Sequence, residues 1–288
     1  MAKRFGKSKI KLTEEQIMKV NAKFSSRSVA AKIANKKKKK KTARAVAVAG
    51  GRTKAVVSSG GGGDPYFANV VYLVNATGTV DGTPSLYASD VKGNALSANN
   101  GLAGQAHDGI TKFADFAMEG NGGVYFISGT NSITGGTLGA GEYTIECWCY
   151  PVENGNFEIL STRTDDIAID GGGIGLVRRN TGELMVIRGN GTEVTSGTTF
   201  NDNAWNHIAV TRDSSNVTRA YVNGVKGLEY TDSRNYSQQG ITILDAQAIS
   251  GATGARWKGY VEDVRITKGV ARYTENTLTV PTAAFPTS

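Results

Sequence analysis

The chain has 288 residues, a formal net charge of +8 at pH 7 and two cysteines. This length suits one large all-β domain or two smaller ones, and the 37 glycines follow no Gly-X-Y period, which excludes collagen. No stretch approaches the ~18 apolar residues of a membrane-spanning helix, and the first 30 residues lack the apolar run of a secretory signal, so neither feature is predicted.

The positive charge is concentrated at the N-terminus. Residues 1–54 contain 18 Lys and Arg against two acidic residues, which gives +16, whereas the remaining 234 residues contain 15 basic and 23 acidic side chains, which gives −8. A basic N-terminal segment joined to an acidic remainder is typical of a protein whose basic segment binds an anionic surface, either nucleic acid or an acidic protein face.

The first predicted element is a short helix over about 14–24. Thr13 and Gln16 have the spacing of a capping box at its start, and a second helical stretch is predicted from about Ser28 into the lysines. The apolar stripes of both stretches are too slight to form a core. We therefore expect an extended, partly helical basic arm that is disordered alone and ordered on a partner.

The clustered cations of the arm are its candidate binding residues. Each lysine at an anionic contact releases counterions and adds salt-sensitive affinity. The candidate partners are an acidic protein face, nucleic acid and a nuclear import receptor; a solubilising tail without a docking role is the remaining alternative. The residues are Lys36, Lys37, Lys38, Lys39, Lys40, Lys41, Arg44, Arg52 and Lys54.

A hinge follows the arm. The stretch "VVSSGGGGDP" at 56–65 combines serines, four glycines and Asp-Pro, and the composition changes sharply there. This pattern predicts a flexible linker. We therefore divide the chain into an anchoring arm at 1–55, a hinge at 56–63 and a β domain at 64–288.

From Tyr66 onward the pattern is β throughout. Short runs rich in Val, Ile, Thr, Tyr and Phe alternate with clusters of Gly, Asn, Asp and Ser, as in "YTIECWCY", "LMVIRG" and "GYVEDVRIT". Such spacing of strand and turn signals predicts an all-β sandwich. Asn223-Gly224 lies between two β runs and predicts a hairpin with a type I′ turn.

The two cysteines lie two residues apart in a predicted strand. Cys147 and Cys149 therefore point to the same side, a geometry that disfavours a disulfide between them. We expect two buried thiols, which suits a reducing cytoplasm. Metal binding by the pair is the alternative.

Several aromatic residues and one histidine have two interpretations. Trp148, Trp205 and Trp257 are predicted to fill the core, and the alternative is that they are platforms on which sugars stack. His207 is predicted to be a packed strand residue, because no nucleophile is visible beside it for a catalytic base.

The carboxylates predict a protein that is not an enzyme. Glycoside hydrolysis needs two carboxylates facing each other across the sugar. Glu146 has no acidic partner two or four residues later, and Glu262 and Asp263 are adjacent, so they are predicted to point to opposite faces. No resident cofactor is predicted, apart from Ca²⁺ as an open alternative at the loop acids Asp165, Asp166 and Asp170, which are otherwise solvated turn residues.

Three segments resemble a known family. "YTIECWCYP" (143–151), "WNHIAVTRDSSNVTRAYVNGV" (205–225) and "GYVEDVRITKGVARYTENTLTVPTAAFP" (259–286) resemble segments of laminin-G-like, concanavalin A-like jelly-roll domains. "DPYFANVVYLVNATGT" stands where such domains begin, so the resemblance covers about 64–286. It implies a jelly-roll β-sandwich behind the basic arm.

The closing segment is similar to structural proteins of tailed bacteriophages. The resemblance implies a virion protein, assembled in the host cytoplasm and present in multiple copies. In this interpretation the arm binds the major capsid protein or tail proteins, with packaged DNA reached through the shell as the alternative. The sandwich is displayed outward, as part of a capsid decoration or minor capsid protein. The alternative is a tail- or fibre-associated, lectin-like protein that binds host surface polysaccharide.

Overall fold

The computed structural model describes most of the chain beyond the predicted hinge. The arm, with its predicted helices and its nine candidate cations, lies outside the described residues, so these predictions and the domain boundaries remain predictions. The structure describes residues 63–76, 88–94, 97–98, 105–107, 110–114, 117–119, 124–126, 137–163, 172–189, 191–237, 241–244 and 257–288.

The described residues are almost entirely strands. After one 3₁₀ turn, η1 (Phe67–Asn69), the strands are β1 (Val70–Ala76), β2 (Ala88–Asp90), β3 (Ser97–Ala98), β4 (Gln105–His107), β5 (Ala117–Glu119), β6 (Val124–Phe126), β7 (Tyr143–Pro151), β8 (Phe157–Ser161), β9 (Ile174–Arg178), β10 (Glu183–Arg188), β11 (Thr192–Thr199), β12 (Asn206–Arg212), β13 (Val217–Val222), β14 (Val225–Thr231), β15 (Ile241–Ile243) and β16 (Gly259–Lys268). No helix in these ranges is long and apolar enough to cross a membrane.

The strands form two antiparallel sheets packed face to face. The nine-stranded sheet has the order β14-β13-β12-β7-β16-β1-β2, with β5 also paired to β16 and β4 paired to β5. The seven-stranded sheet has the order β11-β10-β9-β8-β15-β6-β3. Residues of both sheets, such as Ile145 and Leu176, share one buried apolar core. The predicted all-β sandwich is confirmed.

Central strand β7 is buried on both of its faces. Its alternate residues Ile145, Cys147 and Cys149 belong to the core between the sheets. Thr144 and Glu146 point the other way, to what we call the outer face, and are also fully buried. A strand covered on both sides reads as a nearly continuous run of large residues, which is why "YTIECWCY" shows so little polar alternation.

Two local predictions are confirmed. Asn223 and Gly224 have φ values of 50° and 86°, the left-handed pair that a type I′ turn requires, and Val222 pairs with Val225 across the turn. Cys147 and Cys149 are both buried and free. Burial raises the pKa of the Cys149 thiol well above its usual value, so this thiol is neutral and unreactive.

Glu262 and Asp263 do not point to opposite faces, so that prediction is wrong. The register of β16 against β7 shifts between Glu262 and Arg265, and Asp263 has a φ of 50°. This is a β-bulge, which adds one residue to a strand and redirects its side chains. Glu262 accepts a hydrogen bond from the Phe113 N–H and Asp263 accepts one from the Phe285 N–H. Both carboxylates therefore lie on the outer face.

The C-terminal segment 269–288 covers much of the outer face. Tyr221 on β13 donates a hydrogen bond through its hydroxyl to the Glu275 carbonyl at 2.7 Å. The Phe285 ring lies 6.4 Å from the ring of His207 on β12. As a result, the outer face carries a second buried layer, which the chain itself supplies.

The residues that precede β1 lie beside the end of the C-terminal segment 269–288. The Asp64 N–H donates to the Ser288 carbonyl at 2.8 Å, and Phe285 packs with Val70, Leu73 and Phe67 in a small apolar cluster. Contacts between residues more than 200 positions apart thus close the outer face.

Candidate functional site

Four charged side chains form a buried cluster under the C-terminal segment. Glu146 receives Arg265 through Nη2 at 2.8 Å and Nε at 3.0 Å, and the Tyr273 hydroxyl donates to it at 2.7 Å. Asp64 receives Arg265 at 3.0 Å and Arg272 at 2.6 Å. We call Asp64, Glu146, Arg265 and Arg272 the charge cluster; its two carboxylates and two guanidinium groups neutralise one another.

Both carboxylates of the charge cluster have lowered pKa values. Burial alone would raise the pKa of Glu146, but its contacts with His207, whose Nε2 lies 3.4 Å from Oε2, and with Arg265 outweigh burial. Burial would likewise raise the pKa of Asp64, and the hydrogen bond and charge of Arg272 outweigh it. Both groups are therefore ionised at neutral pH and held in structural ion pairs.

Glu262 is held by backbone donors. Its carboxylate accepts from the N–H groups of Lys112 at 2.5 Å, Phe113 at 2.9 Å and Ala114 at 3.3 Å. Lys112 and Phe113 also cover Trp148, because the Lys112 ammonium lies 4.2 Å from the Trp148 ring centre and the Phe113 ring lies 5.5 Å away, edge-on. Glu262 therefore fastens residues 110–114 over Trp148.

Asp263 is a buried carboxylate whose hydrogen bonds come from neutral groups, the Phe285 N–H and the Asn75 side chain. Burial raises its pKa to about 6, the Phe285 N–H lowers the pKa and the charge of Glu262 raises it. Because the folded pKa lies above the unfolded one, protonation stabilises the fold, and this contribution is lost as the pH rises from about 4 through about 6.

Replacing Asp263 with asparagine is expected to stabilise the protein at pH 7 by as much as about 3 kcal/mol, the value of a two-unit pKa shift. Asparagine keeps an oxygen for the Phe285 N–H and tolerates the left-handed φ. Urea denaturation from pH 4 to 8 checks this prediction. Asp64→Asn, at a carboxylate with a lowered pKa, is the matched control and should destabilise instead. Equal or lower stability of Asp263→Asn at pH 7 would contradict the prediction.

A row of three aromatic side chains crosses the outer face beyond Trp148. The Tyr150 ring lies 5.7 Å from the Trp205 ring and 5.9 Å from the Tyr260 ring, both at an interplanar angle of 69°. The three residues lie on or next to the neighbouring strands β12, β7 and β16, and Tyr150 pairs with Tyr260 in the register. We call Trp205, Tyr150 and Tyr260 the aromatic row.

The aromatic row is partly open. Trp205 and Tyr150 are half-buried, and Tyr260 is 9% exposed. The other two tryptophans are buried, Trp257 in the core between the sheets and Trp148 under residues 110–114. The prediction of core packing is thus confirmed for Trp148 and Trp257, whereas Trp205 retains the alternative role of a platform.

A network of asparagines fixes the turn that presents Trp205. The Asn206 amide donates to the carbonyls of Asn201 at 2.9 Å and Ala204 at 2.8 Å, and its oxygen accepts from the Asn223 amide at 2.8 Å. The Asn203 N–H donates to the Pro151 carbonyl at 3.0 Å, which ties the turn to the end of β7. Trp205 is therefore held by a rigid turn.

Tyr150 and Tyr260 were not predicted from the sequence as site residues. A signal was present in "CWCYP", where Tyr150 falls two residues after Trp148 and so shares its face, and in "WNH", where Trp205 stands in the same relation to His207. His207 itself is fully buried, as predicted. What the sequence could not supply is the register that aligns the three rings.

The structure does not describe the other predicted sites. The arm cations and the loop acids Asp165, Asp166 and Asp170 lie outside the described residues. Within the described ranges, no group of three or more His, Cys, Asp or Glu side chains could hold a metal ion.

Comparisons with solved structures return domains of several kinds. Domain 4 of AbnA, an extracellular arabinanase from Geobacillus stearothermophilus solved with arabinotriose, is 16% identical, with a TM-score of 0.41, and the match covers 69% of this chain and 82% of that one. The binding domain of Paraclostridial mosquitocidal protein 1 is 16% identical, with a TM-score of 0.49, and the match covers 70% of this chain and about half, 49%, of that one.

A third similar structure is the CBM40 of a Ruminococcus gnavus IT-sialidase, solved with α2,3-sialyllactose. It is 14% identical, with a TM-score of 0.43, and the match covers 59% of this chain and 93% of that one. No curated protein matches the chain. The family model of the concanavalin A-like lectin/glucanases superfamily matches residues 121–274, more than half of the chain. Because this match covers more than half of the chain and the fold is a β-sandwich of the predicted class, the chain belongs to the concanavalin A-like lectin/glucanases superfamily.

Proposed function

We propose that the β-sandwich is a lectin-like module that binds carbohydrate without cleaving it, and that the basic arm anchors it to an anionic partner. The observation that carries this proposal is the difference in exposure between the acidic and the aromatic side chains of the outer face. The carboxylates of Glu146, Glu262 and Asp263 are buried in contacts with the chain itself, whereas the aromatic row remains partly open.

The state of the carboxylates favours binding over hydrolysis. A glycosidase needs two carboxylates that reach the sugar, one of them protonated as the acid. Glu146 is fully buried and ionised against Arg265. Glu262 and Asp263 share a face but are only 1% and 2% exposed, and backbone N–H groups occupy them. A sugar on this face would meet none of the three.

The aromatic row favours carbohydrate as the ligand. The superfamily is named for lectins and glucanases, and sugars present apolar C–H faces that pack on aromatic rings, which combine an apolar body with, in Tyr and Trp, a polar atom. Because Glu146, Glu262 and Asp263 are occupied by contacts within the chain, the outer face favours carbohydrate binding over cleavage.

The second candidate function is that of a bacteriophage virion structural protein. It is favoured by the charge division, +16 in residues 1–54 against −8 in the rest, and by the resemblance of the closing segment to tailed-phage proteins. In this proposal the arm holds the protein to the capsid or tail, through protein or packaged DNA, and the sandwich faces outward. The two functions are compatible in one chain.

One experiment addresses both the binding and the anchoring. The purified full-length chain is applied to an array of bacterial and plant polysaccharides, and released reducing ends are measured in parallel. We expect retention without release; release would show an enzyme, and no retention would contradict the lectin proposal. A variant with Lys36–Lys41 replaced by glutamine should keep glycan retention but lose salt-sensitive binding to duplex DNA or polyglutamate. Unchanged salt sensitivity would contradict the anchoring role.

A further inference from the structure

We propose that the aromatic row is the saccharide site and that it takes a short, neutral oligosaccharide of about two or three pyranose rings laid across the strands, because its three rings span neighbouring strands about 4.8 Å apart. This inference rests on the proposed lectin function. It excludes a polymer that runs along the strands over the outer face.

The dimensions of the aromatic row set the length of the ligand that it can hold. Trp205, Tyr150 and Tyr260 stand side by side with ring centres 5.7 and 5.9 Å apart. Because the strands that hold them are neighbours, the line through the rings crosses the sheet rather than following a strand. The span is about 10 Å from the first strand to the third, which matches about two or three pyranose rings in a row.

The outer face next to the aromatic row is covered by other parts of the chain. One step along the strands, His207, Trp148 and Glu262 occupy the next cross-strand positions. Phe113 packs on Trp148 and Phe285 packs on His207, so this position is covered. A sugar chain that started on the aromatic row could not continue in this direction.

The following position is closed as well. There Arg265 pairs with Glu146 in the register, and Asp64, Arg272 and Tyr273 lie over these two residues through the contacts of the charge cluster. Two successive cross-strand positions are thus filled by the chain itself. A long polysaccharide lying along β7 would have to displace a buried ion-pair cluster, which is costly.

The polar groups at the edge of the row point to a neutral ligand. Glu153 and Asn203 are exposed and Lys258 is half-buried, and backbone hydrogen bonds from Asn203 to Pro151 and from Val152 to Lys258 hold their segments at the end of β7. The segments at this edge thus carry one acid, one base and one amide. Such a mixed set suits sugar hydroxyls, whereas a cluster of cations would be expected for a sialylated or uronic ligand.

A length series tests this inference. The neutral oligosaccharide class retained best on the array is titrated calorimetrically, from disaccharide to hexasaccharide, into the full-length chain. We expect affinity to rise to the trisaccharide and then to stay level. Trp205→Ala should weaken binding at least tenfold, and Trp205→Phe, which keeps a ring, should weaken it by less than fivefold.

The control is Tyr66→Ala. Tyr66 is an exposed aromatic outside the row, 43% exposed and stacked with Arg272, so its loss should leave affinity within twofold. Circular dichroism and an unchanged urea midpoint verify that the variants are folded; if Trp205→Ala is not, Trp205→Phe and the length series decide. Unchanged affinity of folded Trp205→Ala, or affinity that keeps rising to the hexasaccharide, would overturn this inference alone. Absence of any glycan binding by the unaltered chain would overturn the proposed function together with it.

Discussion

Replacing Arg265 with methionine is expected to lower the free energy of unfolding by about 3–5 kcal/mol at pH 7, the cost of removing one partner from a buried ion pair. Arg265 contacts Glu146 at 2.8 Å and Asp64 at 3.0 Å. It joins these two buried carboxylates more closely than Arg272, which lies 2.6 Å from Asp64 but 3.8 Å from Glu146. Methionine fills similar space beside Phe285, whose ring centre lies 3.8 Å from the guanidinium carbon, but it leaves the negative charges under-compensated. Urea denaturation of the full-length chain measures the change.

A half-buried arginine provides the matched control. Arg219 forms ion pairs with Asp213 at 2.6 Å and with the exposed Glu229 at 3.1 Å. Its replacement by methionine should cost less than about 1 kcal/mol, because these groups keep contact with water, which screens such pairs. Adding Glu146→Gln to Arg265→Met should recover part of the loss, since it removes a charge that has lost its partner. An Arg265→Met variant no less stable than Arg219→Met would show that the charge cluster is not needed for stability.

The charge cluster also sets the acid side of the stability profile. The folded pKa values of Asp64 and Glu146 are lowered, so their contribution is present above the pKa of the unfolded carboxyls and is lost as the pH falls through the folded values. Arg265→Met should therefore weaken this acid-side dependence. The effect has the opposite sign to that of Asp263, whose contribution is lost as the pH rises.

Replacing Arg212 with lysine is expected to destabilise the protein by about 2–4 kcal/mol, because several loop carbonyls lose charged donors. The buried Arg212 guanidinium donates through Nη2 to Gly139 at 2.7 Å, through Nε and Nη2 to Gly141 at 3.0 and 2.7 Å, and through Nη1 to Arg234 at 2.7 Å. The guanidinium carbon also lies 4.9 Å from the ring centre of Tyr143 and 5.4 Å from that of Tyr236. A lysine keeps the charge but not the planar fork that reaches both loops.

Hydrogen exchange distinguishes this effect from a general loss of stability. Under native conditions, Arg212→Lys should raise exchange at the mutually bonded amides of Gly139 and Tyr236 more than at β9 and β10 of the other sheet. Arg219→Lys, at a half-buried position on the neighbouring strand, should change neither. Uniform exchange across both sheets, or a cost below about 1 kcal/mol, would argue against Arg212 as the link between these loops.

The motifs that carry the family resemblance are largely structural. In "VTRD", Arg212 links two loops and Asp213 holds a turn by accepting from the N–H groups of Ser215 and Val217. In "GYVEDVRITKGVARYT", Arg265 and Arg272 form the charge cluster. These segments therefore identify the fold. The aromatic row, by contrast, combines residues from three separate segments.

The sequence by itself determined the features that depend on neighbours along the chain. The strand periodicity predicted the all-β sandwich, Asn223-Gly224 predicted the type I′ turn, and the spacing of Cys147 and Cys149 predicted unbridged thiols; all three are confirmed. The division of charge between arm and body is also a property of the sequence alone. Local sterics and side-chain alternation decide such features, so a short window contains the necessary information.

Only the tertiary structure decided which distant residues meet. Asp64 and Arg265 are 201 positions apart, and Glu146 and Arg265 are 119 apart; no pattern within either segment pairs them. The bulge at Asp263 overturned the predicted alternation, and strand order and register placed Trp205 beside Tyr150. Register is set by packing over the whole sheet, so the buried acids and the open aromatic row follow from long-range contacts that a linear pattern does not contain.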